Sequence, residues 1–232
     1  LGEGMFHART YLTTAPSARL LPDPDHPVRE LGGHGERVAV IRRGTLNYGW
    51  ASSLGVELVN GYDPYTFRYV ADYLQLTANG AVTERAPGPW LDLDRVTYPR
   101  LLRELSVGHV ISRQPIASPE LELVARHDRV RDYALYKGER WIQLYVYRLA
   151  GTLPRARWAH RVRVAGSERA LVEGMVATGG DGAAWVFGES AASSAPPPEP
   201  EEYVRELSRS ADEIALEAVN REPRTLVLAE TF

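Results

Sequence analysis

Two Asp-x-Asp pairs are the residues of this chain best suited by type and spacing to phosphate chemistry. Asp23-Pro24-Asp25-His26 and Asp92-Leu93-Asp94 each set two carboxylates one residue apart. Such a pair can hold a divalent cation that bridges phosphates, as it does in many sugar-nucleotide transferases. The motif is very short, and a chain with 30 acidic side chains produces it by chance. Asp23 stands in a proline loop and Asp92 is better explained as a helix start, so the structural explanation is preferred for both. The six histidines, His7, His26, His34, His109, His127 and His160, form no H-E-x-x-H and no i, i+4 pair. A metal site would have to be assembled from them by tertiary folding, and structural or solvated histidine is the default. No G-x-S-x-G elbow occurs. Gly32-Gly33-His34-Gly35 and Gly179-Gly180-Asp181-Gly182 lack both the Lys-Ser/Thr of a P-loop and the spacing of a dinucleotide fingerprint, and read as flexible turns. The sequence therefore offers no catalytic residue, no metal ligand set and no cofactor site.

Aromatic residues make a stronger case for binding. Trp50, Tyr62, Tyr65, Tyr69 and Tyr73 cluster around Asn47 and Asp63. Saccharide binding uses an aromatic face against C–H groups, with amides and carboxylates turned to hydroxyls, and aromatic rings also settle at membrane interfaces. Asn47, Tyr62 and Asp63 are the ligand-binding candidates on this ground. Against it, tyrosines at helical spacing are more often half-buried core, and that explanation carries more weight. Arg155, after Pro154, could meet a phosphate, but a structural ion pair is the favoured role.

The elements that must position these residues start with the segment 47–79. An apolar run at 56–59 is stopped by Asn60-Gly61-Tyr62-Asp63-Pro64. Asp63 is a good N-cap and Pro64 fits the first helical position. The helix that follows puts Phe67, Val70, Ala71 and Leu74 on one face and Tyr65, Tyr69 and Tyr73 on its neighbour. Residues 37–43 alternate enough for a strand, 47–55 read as a helical turn, and 94–107 read as a second helix with Pro99 near its start. Strand-like runs follow at 109–112, 121–125, 130–136 and 141–149, with Lys137-Gly138-Glu139 as a hairpin signal. Residues 157–165 read as a strand, Ser167 as the cap of a helix over 168–176, and 183–188 as a returning strand.

The fold class expected is α+β: a mixed or antiparallel sheet with two or three packed helices, followed by a small β-rich, partial-sandwich C-terminal part. Residues 1–36 read as an irregular N-terminal segment and 37–189 as the α+β domain. Residues 190–202 (SAASSAPPPEPEE) form an Ala/Ser/Pro-rich linker. Residues 203–232 hold three strand-like runs, too few for a sandwich, so that part is expected to be truncated or to be completed by packing on the first domain.

Bulk composition narrows the classes. An apolar fraction of 44% and a charged fraction of 25% are those of an ordinary globular domain. A net charge of −3 gives no field that would favour nucleic acid, which is excluded as a partner. The absence of cysteine excludes disulfides, thiolate catalysis and cysteine-ligated metals. No apolar run approaches the roughly 18 to 20 residues that span a bilayer, and the N-terminus shows no basic-then-apolar signal pattern.

Several segments carry a resemblance. The order of an Asn, a Gly-containing apolar run, Gly-Tyr-Asp and an aromatic-rich helix resembles the extracytoplasmic segment of YfhO-like bacterial membrane proteins, relatives of the GT-C glycosyltransferases that use lipid-linked sugars. LSVGHVIS at 105–112 resembles that family's "LgVrYvi" strand and VYR at 146–148 its "vyrN" strand. LPRA at 153–156 resembles its "lPRA" motif, and TLVLAETF at 225–232 its "glLvLaety". Together these cover most of residues 37–232. Gly108 and His109 stand where Arg and Tyr are usual, and Leu149 where Asn is usual.

What the resemblance implies is a polytopic parent protein that transfers sugar from a polyprenyl-phosphate donor to a cell-envelope glycan. Its catalytic aspartate would lie in a loop between membrane helices outside this chain. Starting at Leu1 rather than Met, the chain is then expected to be a piece of that parent, membrane-associated through it and lying on the extracytoplasmic face. Its partners would be the parent's own transmembrane region and a cell-envelope glycan or lipid-linked sugar, and alone it would be inactive. Two alternatives stay open: a non-catalytic glycan- or protein-binding module of the cell envelope, and a soluble transferase or hydrolase acting through the Asp-x-Asp pairs.

Overall fold

The computed structural model describes residues 22–23, 25–32, 35–42, 45–46, 48–62, 68–82, 90–91, 93–134, 138–187, 193–194, 199–210 and 213–229. Among them the strands are β1 (Arg37–Val40), β2 (Gly61–Tyr62), β3 (Trp90–Leu91), β4 (Val107–Ser112), β5 (Leu121–Ala134), β6 (Gly138–Leu149), β7 (Ala156–Trp158), β8 (Arg161–Ala165), β9 (Ala184–Phe187), β10 (Ser193–Ser194), β11 (Tyr203–Arg209), β12 (Ile214–Val219) and β13 (Leu226–Leu228). The α-helices are α1 (Tyr48–Ser53), α2 (Arg68–Asn79) and α3 (Glu168–Thr178), and 3-10 helices span Pro27–Leu31 and Pro99–Leu105.

All four residues of β1 are buried, because β1 lies at the middle of two apolar layers. It runs parallel to β4; β6 and then β5 add antiparallel, giving the order β1-β4-β6-β5. Period-two alternation sends Ala39 and Ile41 to one face and Val38 and Val40 to the other. On the first face they meet Leu74, Ala71 and Ala78 of α2, Leu102, and Tyr145, Tyr147 and Leu149 of β6. On the second they meet Val28, Leu46, Ala51 and Val56, with Ile142 and Leu144 of β6. Alternate residues of β6 thus serve the two cores, Tyr145, Tyr147 and Leu149 in one and Ile142 and Leu144 in the other.

At the outer edge of β1 the run 56–59 gives a single parallel bridge, Val38 to Leu58, where the sequence suggests a strand. Asn60 explains the shortfall. Its side-chain amide accepts from Val40 N at 2.8 Å and donates to Val40 O at 2.7 Å, so it satisfies the backbone groups that another strand residue would have met. The helix expected over 94–107 is a 3-10 helix confined to Pro99–Leu105; it ends at Ser106, which adopts the left-handed conformation with φ 60°. The strand expected over 157–165 is divided between β7 and β8, which pair with different partners, β13 and β9.

α2 stops at Gly80, whose φ of 72° suits a glycine after the last turn and whose N–H returns to Leu76 O at 2.8 Å. α3 begins at Ser167, whose hydroxyl accepts from Ala170 N at 3.1 Å, as its sequence position suggests. It crosses between the parallel strands β8 and β9, and the indole of Trp185 occupies the space that a side chain at position 174 would take. The turn after α3 is held by Glu104, whose carboxylate accepts from the N–H groups of Gly180 and Gly182.

The fold class is α+β, and its C-terminal part is β-rich. β11 and β12 form an antiparallel hairpin, whereas β13 leaves it to pair with β7, Leu228 opposite Ala156. Within the segment read as a linker, Ser193 and Ser194 pair with β8, and Glu202 is buried against Arg224.

Candidate functional site

Glu57 organises one end of the main sheet. After α1 the chain turns through Gly55, at φ 73°, and residue 57 is laid beside β1, its carbonyl accepting from Val38 N at 2.8 Å. Arg37 reaches back to the Glu57 carboxylate from Nε at 3.1 Å and donates from Nη1 to Ala229 O at 2.7 Å. Arg155 donates from Nη2 to the second Glu57 oxygen at 2.5 Å. The two guanidiniums are buried, at 4% and 9% side-chain exposure, while the carboxylate they share is 46% exposed. Burial pushes the Glu57 carboxyl up, but hydrogen bonds and charge from Arg155 and Arg37 outweigh it and hold the group below the usual range.

A second carboxylate lies alongside. Glu36 accepts from both terminal nitrogens of Arg148, at 2.5 and 2.8 Å, in a bidentate pair. His109 Nδ1 lies 3.8 Å from the same carboxylate. A third comes from the hairpin: Glu206 accepts from Arg209 at 2.9 and 2.6 Å. The Arg209 hydrogen bonds hold Glu206 below its ordinary value, and it also feels the charges of Arg155 and Glu57.

Between these groups is a cleft of about 610 Å³ bounded by Glu36, Glu57, Ser106, Arg155, Glu206 and Arg209. That is the size of a small-molecule site, roughly 300–1,000 Å³. Its chemistry is recognition rather than proton transfer. Glu57 and Glu206, held low by guanidiniums, are poor general acids at neutral pH and weak bases. They remain strong hydrogen-bond acceptors.

Asn47 and Asp63 lie outside the described residues, as do Tyr65 and Asp92. The backbone of Tyr62 is on β2, paired with Trp90 on β3. Trp50 is buried edge-on to the His26 ring, with centroids 6.0 Å apart. Tyr73 donates from its hydroxyl to Leu101 O at 2.8 Å, and burial, aided by Glu104, raises its pKa well above the ordinary value. These two rings serve packing. The Asp23 carboxylate accepts from Asp25 N at 3.1 Å, which makes that Asp-x-Asp pair a turn. Among the described residues no group of three or more His, Asp or Glu is placed to hold a metal ion. Arg155 is in the structural ion pair that its sequence context favours.

Glu36, Glu57 and Glu206 were not legible as site residues, since nothing local distinguishes them from the other acidic side chains. LSVGHVIS supplies β4, VYR lies on β6, LPRA forms a cleft wall and enters β7, and TLVLAETF supplies β13. They meet in two pairs: His109 is opposite Arg148, and Leu228 opposite Ala156. Compared with protein-family models, curated proteins and solved structures, the chain matches none of them.

Proposed function

We propose that this chain is the extracytoplasmic domain of a polytopic membrane protein resembling the YfhO-like, GT-C-related glycosyltransferases, and that it positions the glycan acceptor for a catalytic half embedded in the membrane. The observation that supports this reading is a charge-compensated cleft lined by residues of LSVGHVIS and LPRA, with VYR and TLVLAETF on the strands paired to them. LSVGHVIS and LPRA, far apart in sequence, line it together through Ser106 and residues 153–156. No helix among the described residues is long and apolar enough to cross a membrane, so in this reading the lipid-linked donor is handled by other parts of the parent protein.

The test is a transfer assay in vesicles holding the full-length gene product, supplied with a polyprenyl-phosphate sugar and an oligosaccharide acceptor. The expected result is transfer by the parent, none by the isolated chain, and a raised acceptor KM when residues 36–229 are deleted. Turnover by the isolated chain, or a parent gene that encodes no membrane segments, overturns the proposal.

A further inference from the structure

We propose that the cleft between Glu57, Ser106 and Glu206 binds a neutral saccharide, one or two pyranose rings of the acceptor; this rests on the acceptor-positioning role above and names its ligand. Charge sets the class. The three carboxylates Glu36, Glu57 and Glu206 are matched by the guanidiniums of Arg37, Arg148, Arg155 and Arg209. An anionic ligand entering here faces three carboxylates, and a cationic ligand faces guanidiniums already committed to them. A neutral ligand disturbs neither set. Each ionised carboxylate offers about four lone-pair positions, more than its arginine bonds use, and the side chains of Glu57 and Glu206 are 46% and 34% exposed. Ligand hydroxyls would donate to them in charge-assisted hydrogen bonds.

Ser106 supplies the second, independent observation. It is 2% exposed, its hydroxyl has no hydrogen-bond partner, and it lines the cleft. A buried hydroxyl left in that state is satisfied when a ligand hydroxyl reaches it. Gly35 and Gly55 border the same space with φ of 71° and 73°, and nothing lies within 4 Å of where a β-carbon would stand on either. The backbone there is open to the close approach of a pyranose ring. Pro154 and Val204 give the apolar surface against which ring C–H groups can rest.

The experiment is a titration of the isotopically labelled chain, followed by amide NMR, with neutral α- and β-linked disaccharides of glucose and galactose. Matched uronic-acid and amino-sugar disaccharides and inorganic phosphate form the comparison arms. The expected result is shifts at Glu36, Glu57, Ser106, Arg155 and Glu206 with a neutral disaccharide, and binding about tenfold weaker for the charged analogues. Ser106→Ala and Glu206→Gln should each weaken binding about five- to tenfold; the second lies on the exposed hairpin and reports even if the first does not fold. Absence of shifts, shifts outside the cleft, equal binding by both variants, or preference for phosphate or uronate overturns the proposal. Loss of the cleft proposal with vesicle transfer intact would leave the acceptor-positioning role standing on other residues.

Discussion

Arg155 and Glu57 are 98 positions apart in the chain and meet across 2.5 Å. Glu57 also takes a bond from Arg37, and Arg37 in turn holds the carbonyl of Ala229. One carboxylate thus ties the loop after α1 to β1 and to the LPRA segment, and through Arg37 to the residue after β13. Removing it leaves two buried guanidiniums without their shared counter-charge.

Glu57→Gln should therefore destabilise the fold by about 1–3 kcal/mol, below the value for a fully buried pair because the carboxylate is half exposed and screened. Arg155→Met should cost less, since the Glu57 charge it leaves behind can be hydrated. Urea unfolding of both variants and the double variant gives the coupling, expected at about 0.5–2 kcal/mol. Additive effects would mean that the pair contributes nothing as a pair.

Glu202 gives a prediction in acid. It accepts from Arg224 at 3.0 and 2.7 Å and from the backbone N–H groups of Arg221 and Glu199, and these bonds, Arg224 first, lower its pKa from 4.5 to about 2. A carboxyl whose folded value is depressed contributes its stability above the unfolded value and loses it as pH falls through the folded one. The urea midpoint should fall between pH 4.5 and about 2. Glu202→Gln should be less stable at pH 7 and flatter across that window. An unchanged slope would show that Glu202 is not held ionised by Arg224.

His26 acts in a milder range. Burial lowers its pKa from 6.5, against the raising effects of Asp132 and Asp23, and His127 lowers it further. Its Nδ1 accepts from Val28 N, and the ring packs against Trp50. The unfolded chain takes up a proton at this residue more readily than the folded one, so stability should decline as pH drops below 6.5, by at most about 1.4 kcal/mol per pH unit. His26→Asn keeps an acceptor at the start of the 3-10 helix and should remove this slope. Persistence of the slope would assign it to another group.

These residues show where sequence is a sufficient guide. The strand-like run at 141–149 and the Ser167 cap are local facts, and strand and helix form where they indicate; the hairpin signal begins outside the described residues, and its Gly138 and Glu139 already belong to β6. Residues 157–165 read as one strand because nothing local marks Ala159 as a division; it is made by β13, which takes β7 away from β8. Residues 56–59 fall short of a strand because the Asn60 side chain occupies the pairing groups of Val40. The cleft was hidden for the same reason. Residues 36, 57, 106, 155 and 206 have no common spacing, and only the tertiary fold makes them neighbours.

The glycine at position 108 on β4 is explained by Glu36. A β-carbon on residue 108 would collide with the Glu36 carboxyl group and come within 3.0 Å of Arg148 Nη1. Those atoms are the ends of flexible side chains, so Gly108→Ala should fold while displacing Glu36 from Arg148. The expected cost is about 1 kcal/mol, the worth of a charge-assisted pair at partial exposure. In a Glu36→Ala background the closest obstruction is gone and only the flexible end of Arg148 remains to give way, so Gly108→Ala should then be close to neutral by thermal or urea unfolding. An equal loss in both backgrounds would mean that the backbone of β4, and not the Glu36–Arg148 pair lying across it, is what requires glycine there.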